Sequence, residues 1–379
     1  MIVALTALFA ACGFGFPCGQ EAKDGAAFEC AYARGYCFDL DGRRLLFVTN
    51  DNELVVWETG AARPVAIPLE RSEDKNKFKR IPTGVAPAGD GRHALVLFAD
   101  GRIQIWDFNA RRKVKDLAND CKSLRHAKLS ADGKRVACLG KDFKSHGALL
   151  IWRTDDWSVA GVWKSEDPIQ DFCFAADARE IRMAVGYPID LKHKGFTGIV
   201  ARDVETGKEV GRLEYGDGFP FRIASSPDGR WMAVGGGDAA PRGNNARSLG
   251  GHFRVFDWEA RKMVEEPFQL PTNYVGAVAF RPDGKVAYAA WSESDANPRG
   301  VKTGIKAFAA PDWGILETIS FEPGKLDGSV QEIAASPDGE TLLVSYAGRA
   351  DVVKPRTGEI AAKVRLRLAA PQGRPGEDK

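Results

Sequence analysis

The chain carries almost no net charge. Its 53 Lys and Arg residues face 51 Asp and Glu over 379 residues, a formal +2 at pH 7. Nucleic-acid binding through counterion release requires a basic surplus or a clear basic stripe, so the composition argues against that class. Beyond the first residues, no apolar run approaches the ~20 residues needed to cross a bilayer. The seven cysteines, at 12, 18, 30, 37, 121, 138 and 173, include no C-x-x-C pair. Structural zinc ribbons, thioredoxin-like redox chemistry and haem attachment through C-x-x-C-H therefore lack support. There is no G-x-S-x-G nucleophile elbow. "GGG" at 235–237 follows a strand-like run but opens no helix and lacks a G-x-G-x-x-G continuation, which argues against a dinucleotide site. Long helical periodicity is absent too.

What is present is turn chemistry between short apolar runs. Hydrophobic residues make up 44% of the chain, enough for a sizeable core. Forty-one glycines, twenty prolines and nine tryptophans fit many tight turns between aromatic-rich strands such as "RRLLFV" (43–48), "ALVLF" (94–98) and "ALLIW" (148–152). The fold class expected is all-β.

The turns repeat. "SPDGRWMAV" (226–234) recurs as "LDGRRLLFV" (40–48), "GDGRHALVLF" (89–98), "ADGKRVACLG" (131–140), "RPDGKVAYAA" (281–290) and "SPDGETLLVS" (336–345). A degenerate copy, "ADAREIRMAV" (176–185), has Ala178 where the others have Gly. The marker aspartates are residues 41, 90, 132, 177, 228, 283 and 338, which makes seven copies. After each marker comes an apolar strand that usually ends in an aromatic or long side chain, as in "LVVWETG" (54–60), "IQIWDFN" (103–109), "LLIWRTD" (149–155) and "FRVFDWEA" (253–260). A further β-like run usually follows. Asp-Gly suits a hairpin because Gly accepts positive φ and the Asp side chain caps its own turn. Four strands per unit, seven times over, predict a seven-bladed β-propeller of four-stranded antiparallel blades over residues 25–368.

At "IQIWDFNARRKV" (103–114) and at the Ser-Pro-Asp-Gly turns the chain resembles WD-repeat propellers, over residues 28–368. It departs from them in two ways. The Trp-Asp pair occurs once, at Trp106-Asp107, and the Gly-His dipeptide usual between WD repeats is absent from those connections, so their His-Asp-Ser-Trp tetrad is incomplete. The resemblance implies a non-catalytic platform for another protein, with the loops between second and third strands opening on one face, the top. Every blade is expected to supply its own four strands, and residues 25–30 offer one more.

Those top loops are short in blades one and two and grow in the next four: "KDFKSHG" (141–147), "YPIDLKHKGFTG" (187–198), "GGDAAPRGNNARSLGG" (236–251) and "SESDANPRGVKTG" (292–304). Insertions that map to one face are usually on the binding face. Their charge leans basic at Lys192, Lys194, Arg242 and Arg247, and the connection "ERSEDKNKFKR" (70–80) adds Lys75 and Lys77. The expected partner is a protein with an acidic segment, and ordinary solvated loop charge is the plain alternative. Nucleic acid is disfavoured because stacking aromatics are sparse in these loops.

Histidine frames the competing reading. His146, His193 and His252 lie in or beside the loops of three consecutive blades, and His126 begins an innermost strand that should approach the top of the channel. With Asp142, Asp190 and Asp238 they could hold a divalent metal and a hydrolytic water, as a propeller hydrolase or small-ligand binder would. Their spacing matches no tight motif such as H-E-x-x-H, so neither a metal nor a cofactor is expected, and nor is catalysis. The third-strand aromatics Trp57, Trp106, Trp152, Phe256 and Phe308 are read as packing between blades.

The first eleven residues, "MIVALTALFAA", are apolar and uncharged, resembling the core of a secretory signal without its basic start. "FAAC" (9–12) faintly resembles a lipoprotein box with Cys12 as the lipidated residue. Residues 1–24 are accordingly expected to direct export to the periplasm or cell envelope. A buried first strand and a cytoplasmic protein are the alternative. In an oxidising compartment a Cys30–Cys37 disulfide is open, while Cys138 and Cys173, inside strand-like runs, read as small buried hydrophobes. The tail 369–379 is expected to be disordered, and a closed ring needs no partner subunit, so a monomer is expected.

Overall fold

The computed structural model of the protein describes residues 27–30, 33–58, 61, 64–70, 81–141, 147–186, 195–216, 218–240, 247–264, 268–270, 274–294, 301–321, 330–346, 349–356 and 360–366. Among them are seven sheets, each with four consecutive antiparallel strands: blades 1 to 7 cover residues 33–68, 82–117, 122–165, 169–214, 219–270, 274–321 and 330–366. The fold is all-β, a seven-bladed β-propeller. Blade 5 has an extra short strand, Phe268–Leu270, paired to its third strand at Gly251–Leu270, His252–Gln269 and Phe253–Phe268.

The Asp-Gly turns join each innermost strand to the second. The glycines Gly42, Gly91, Gly133, Gly229, Gly284 and Gly339 have φ between 64° and 77°, the left-handed region that a side chain disfavours. The fourth copy shows how far the rule bends, since Ala178 adopts φ 56° at the same position. The surrounding hydrogen bonds explain why Ser and Asp accompany the glycine. Ser226 Oγ donates to the Asp228 carboxylate and accepts the Trp231 N–H (2.8 Å), while Asp228 Oδ1 accepts the Arg230 N–H (3.1 Å). The same arrangement recurs around Ser130 and Asp132 and around Ser336 and Asp338. Ser226–Gly229 is thus a self-contained turn. Asp228→Ala, which strands the hydroxyl and the amide together, should lower stability by about 1 kcal/mol in urea unfolding with the slope unchanged.

A lone four-stranded sheet leaves both apolar faces wet, and the ring solves this by packing sheet against sheet. One apolar cluster fills each joint between neighbouring blades. The last joint is closed like the others: Tyr36, Leu45, Phe47, Val55 and Trp57 of blade 1 pack on Leu343 and Ala350 of blade 7. The third-strand aromatics keep one direction around the ring. Trp57 packs on blade 7, Trp106 on blade 1, Trp152 on blade 2, Phe256 on blade 4 and Phe308 on blade 5. All five are buried.

The strand anticipated near residues 25–30 exists. Ala27–Cys30 lies parallel to the outer strand of blade 7, with Ala27 opposite Lys363 and Cys30 opposite Leu366. Because Cys30 sits there while Cys37 lies on the innermost strand of blade 1, the Cys30–Cys37 disulfide is not formed. The Cys37 thiol is free, against the carbonyl oxygens of Val85 (3.5 Å) and Leu46 (3.9 Å). Cys138 and Cys173 are buried, as small hydrophobes would be. Burial pushes the Cys173 thiol up to about 11 and that of Cys138 well above its ordinary value.

Candidate functional site

The innermost strands line a central channel of about 830 Å³. Each of these strands carries a register shift against the second strand of its blade. Bulges of this kind locally re-aim side chains. Counting back by the same number of residues from each marker aspartate reaches Gly35, Gly84, His126, Asp171, Arg222, Ala277 and Glu332, one per blade. All seven line the channel. Blades 1, 2 and 6 therefore give small residues to this layer, and blades 3, 4, 5 and 7 give ionisable ones. Gly35 is forced by packing, since a Cβ there would sit 2.5 Å from the Gly84 Cα of the next blade.

Two neighbours on the blade 3 strand, Arg125 and Lys128, add positive charge to the wall. Asp171 is the knot of the cluster. Its Oδ1 lies 2.8 Å from Lys128 Nζ on blade 3, and its Oδ2 accepts the Ile223 N–H of blade 5 at 3.1 Å. Lys128 Nζ also donates to the Phe172 carbonyl at 2.5 Å. One carboxylate thus ties three blades together. Burial alone would raise the Asp171 carboxyl, but the nearby Lys128 ammonium overcomes that and holds it below the usual range.

The other members are less satisfied. Burial, helped by the charge of Arg222, pushes the His126 imidazole down to about 3, so it is neutral at physiological pH. Enclosure by the ring pushes Glu332 up to about 7, against the pull of Lys128 and Arg222. Arg125 is lowered by burial and then by Arg222, a like charge in the same channel. Arg125 Nη2 donates to the Ile169 carbonyl (3.0 Å) and Arg222 Nη1 to that of Phe221 (3.3 Å), with the Arg222 guanidinium 4.6 Å from the Phe221 ring centroid. Among the described residues, neither guanidinium has a carboxylate within ion-pair distance.

The residues expected from the sequence are placed unevenly. His126 lines the channel, as its position on an innermost strand predicts. His252 does not sit on a loop: it lies on the third strand of blade 5 (Arg247–Asp257), paired with Gly236, only 6% exposed, with Nδ1 3.1 Å from Arg254 Nη2. It is absent from the channel lining. The reason is that the Gly-rich stretch read as a loop from 236 to 251 is largely ladder, pairing Gly237–Gly251, Asp238–Gly250, Ala239–Ser248 and Ala240–Arg247. Arg247 is thereby placed on the returning strand of a long hairpin. His146, His193, Lys75, Lys77, Lys192, Lys194 and Arg242 lie outside the described residues. No group of three or more His, Cys, Asp or Glu with metal-site geometry occurs among the described residues. Arg125, Lys128, Asp171, Arg222 and Glu332 were not singled out from the sequence, although counting back from the markers reaches three of them.

No protein-family model matches the chain, and no curated protein matches it.

Proposed function

We propose that the protein is a non-catalytic, WD-repeat-like interaction platform that holds an acidic segment of another protein on the face opposite the Asp-Gly turns. The observation that supports this reading is a one-sided extension of the ring. In blades 5 and 6 the second and third strands run on as paired ribbons, Trp231–Ala240 with Arg247–Asp257 and Val286–Ser294 with Val301–Ala309. In blades 1 and 2 the equivalent strands are five or six residues long and turn at once. Because the Asp-Gly turns occupy the other ends of these strands, both ribbons rise on the opposite face, side by side. The paired strands of each ribbon are already ordered by their ladder, so their backbone has little conformational freedom to lose on association. Arg247 is on the blade 5 ribbon, and Arg242 lies in the segment joining its two strands.

The test reverses four charges together, Lys192→Glu, Lys194→Glu, Arg242→Glu and Arg247→Glu, in a tagged chain expressed in its native cells. After gentle cross-linking and mass spectrometry, the wild type should return a recurrent protein with an acidic stretch. The reversed chain, melting at the same temperature, should return at least about tenfold less, since rim charges act mainly on encounter and orientation. Equal recovery from both would overturn the proposed face.

A further inference from the structure

Two guanidinium groups of the channel wall, those of Arg125 and Arg222, have no carboxylate within ion-pair distance among the described residues, and the platform reading leaves them unused. We propose that the channel is a binding site for a small carboxylate ligand, gripped by Arg125 of blade 3 and Arg222 of blade 5 across the wall from Glu332 of blade 7.

The charge of the site carries the argument. Lys128 and Asp171 neutralise one another at 2.8 Å. Asp39, also in the wall, has Arg44 3.8 Å away, and Arg34 lines the channel as well. Arg125 and Arg222 each give one hydrogen bond to a backbone carbonyl, and a guanidinium has five N–H donors, which leaves others for a ligand. Like charges brought into one enclosed space without a counterion are costly, and a bound anion removes the cost. The planar fork of arginine matches a carboxylate in two-point geometry, and lysine does not.

The rest of the wall narrows the class of anion. A dianionic phosphate would meet Asp171, which stays ionised, as well as Glu332. A monoanionic carboxylate meets less repulsion, and the carboxyl of Glu332, held in its neutral form up to about pH 7, can donate its proton in a hydrogen bond to the ligand oxygen. The volume, about 830 Å³, is within the range of small-molecule sites, about 300–1,000 Å³. Val278, Ala277, Ala334 and Phe221 supply apolar wall for the remainder of such a ligand.

The experiment uses the full chain and three carboxylate probes, acetate, succinate and benzoate, titrated calorimetrically at pH 6 and constant ionic strength. Inorganic phosphate serves as the competing oxyanion. At least one carboxylate should bind saturably below about 10 mM and at least tenfold more tightly than phosphate. Arg125→Gln and Arg222→Gln should each weaken that binding about tenfold or more, while Arg222→Lys should recover only part of it. On wild-type protein, the same carboxylate should slow phenylglyoxal modification of Arg125 and Arg222, read by peptide mass spectrometry, so the test does not hang on the folding of a variant. No saturable carboxylate binding, phosphate binding as tightly as the carboxylates, or binding without protection of these two arginines would each overturn the proposal.

Discussion

Trp152→Ala should cost about 3–5 kcal/mol of unfolding free energy, the largest loss expected from any single truncation at a blade joint. The indole is 1% exposed and lies in the joint between blades 2 and 3, among Leu95, Leu97, Val136, Leu150 and the indole of Trp157. It is also the fixed element of a pattern, since each of the five third-strand aromatics packs on the preceding blade. Neighbours fixed in two different sheets cannot both relax into the space left behind, so most of the cavity term persists. Urea unfolding of the two proteins reads the difference directly. A control at Val162, on the outer strand of blade 3 and 49% exposed, should move stability by no more than about 0.5 kcal/mol. If Trp152→Ala cost as little as the control, the aromatic would not be holding the joint.

The second large effect concerns pH, where two channel groups oppose each other. The Glu332 carboxyl is raised to about 7 in the folded chain, so between its ordinary value of 4.5 and 7 the folded state holds a proton that the unfolded state has released. Its contribution is fully present below 4.5 and is lost as pH rises to 7. The His126 imidazole is lowered from 6.5 to about 3, so between those values the unfolded state holds the extra proton. Stability from that source falls as pH falls. From pH 4.5 to 6.5 the two slopes have opposite sign, and the wild type should be nearly flat there. Glu332→Gln unmasks His126, so its stability should rise by about 1–2 kcal/mol from pH 4.5 to 6.5, the full linkage slope being discounted because both side chains line an open channel. His126→Gln should do the reverse and lose a similar amount up to pH 7. The other charges facing this layer, Arg125, Lys128, Asp171 and Arg222, are common to all three proteins. Asp171 acts lower, below its ordinary 3.8. Parallel pH profiles for wild type and both variants would refute the opposition.

The repeat was legible because turn chemistry is local. Ser, Asp and Gly satisfy one another within a few residues, as at Ser226–Gly229, so the requirement is written side by side in the chain. The aromatics of the third strands were legible for a similar reason, since one position in every blade meets the same joint. The channel cluster was not. His126, Asp171, Arg222 and Glu332 come from four blades, and each by itself is an ordinary polar residue inside a strand. Only the shared distance from the marker aspartates places them in one layer. His252 failed in the opposite way. Its Gly-rich neighbourhood reads as loop by composition, yet glycines at 236, 237, 250 and 251 extend a ladder whose outer side is covered by Phe268–Leu270. Burial within that ribbon removes the imidazole from the channel.

The strand Ala27–Cys30 has a mechanical consequence. It runs parallel to Ile360–Leu366, so the chain before Ala27 leaves from one end of the shared ladder and the chain after Leu366 from the other. Tension applied through these two ends would load every rung of that ladder in shear at once, instead of peeling rungs one after another. The blade that receives both ends of the ring is therefore fastened in the direction in which a pull on the chain would act.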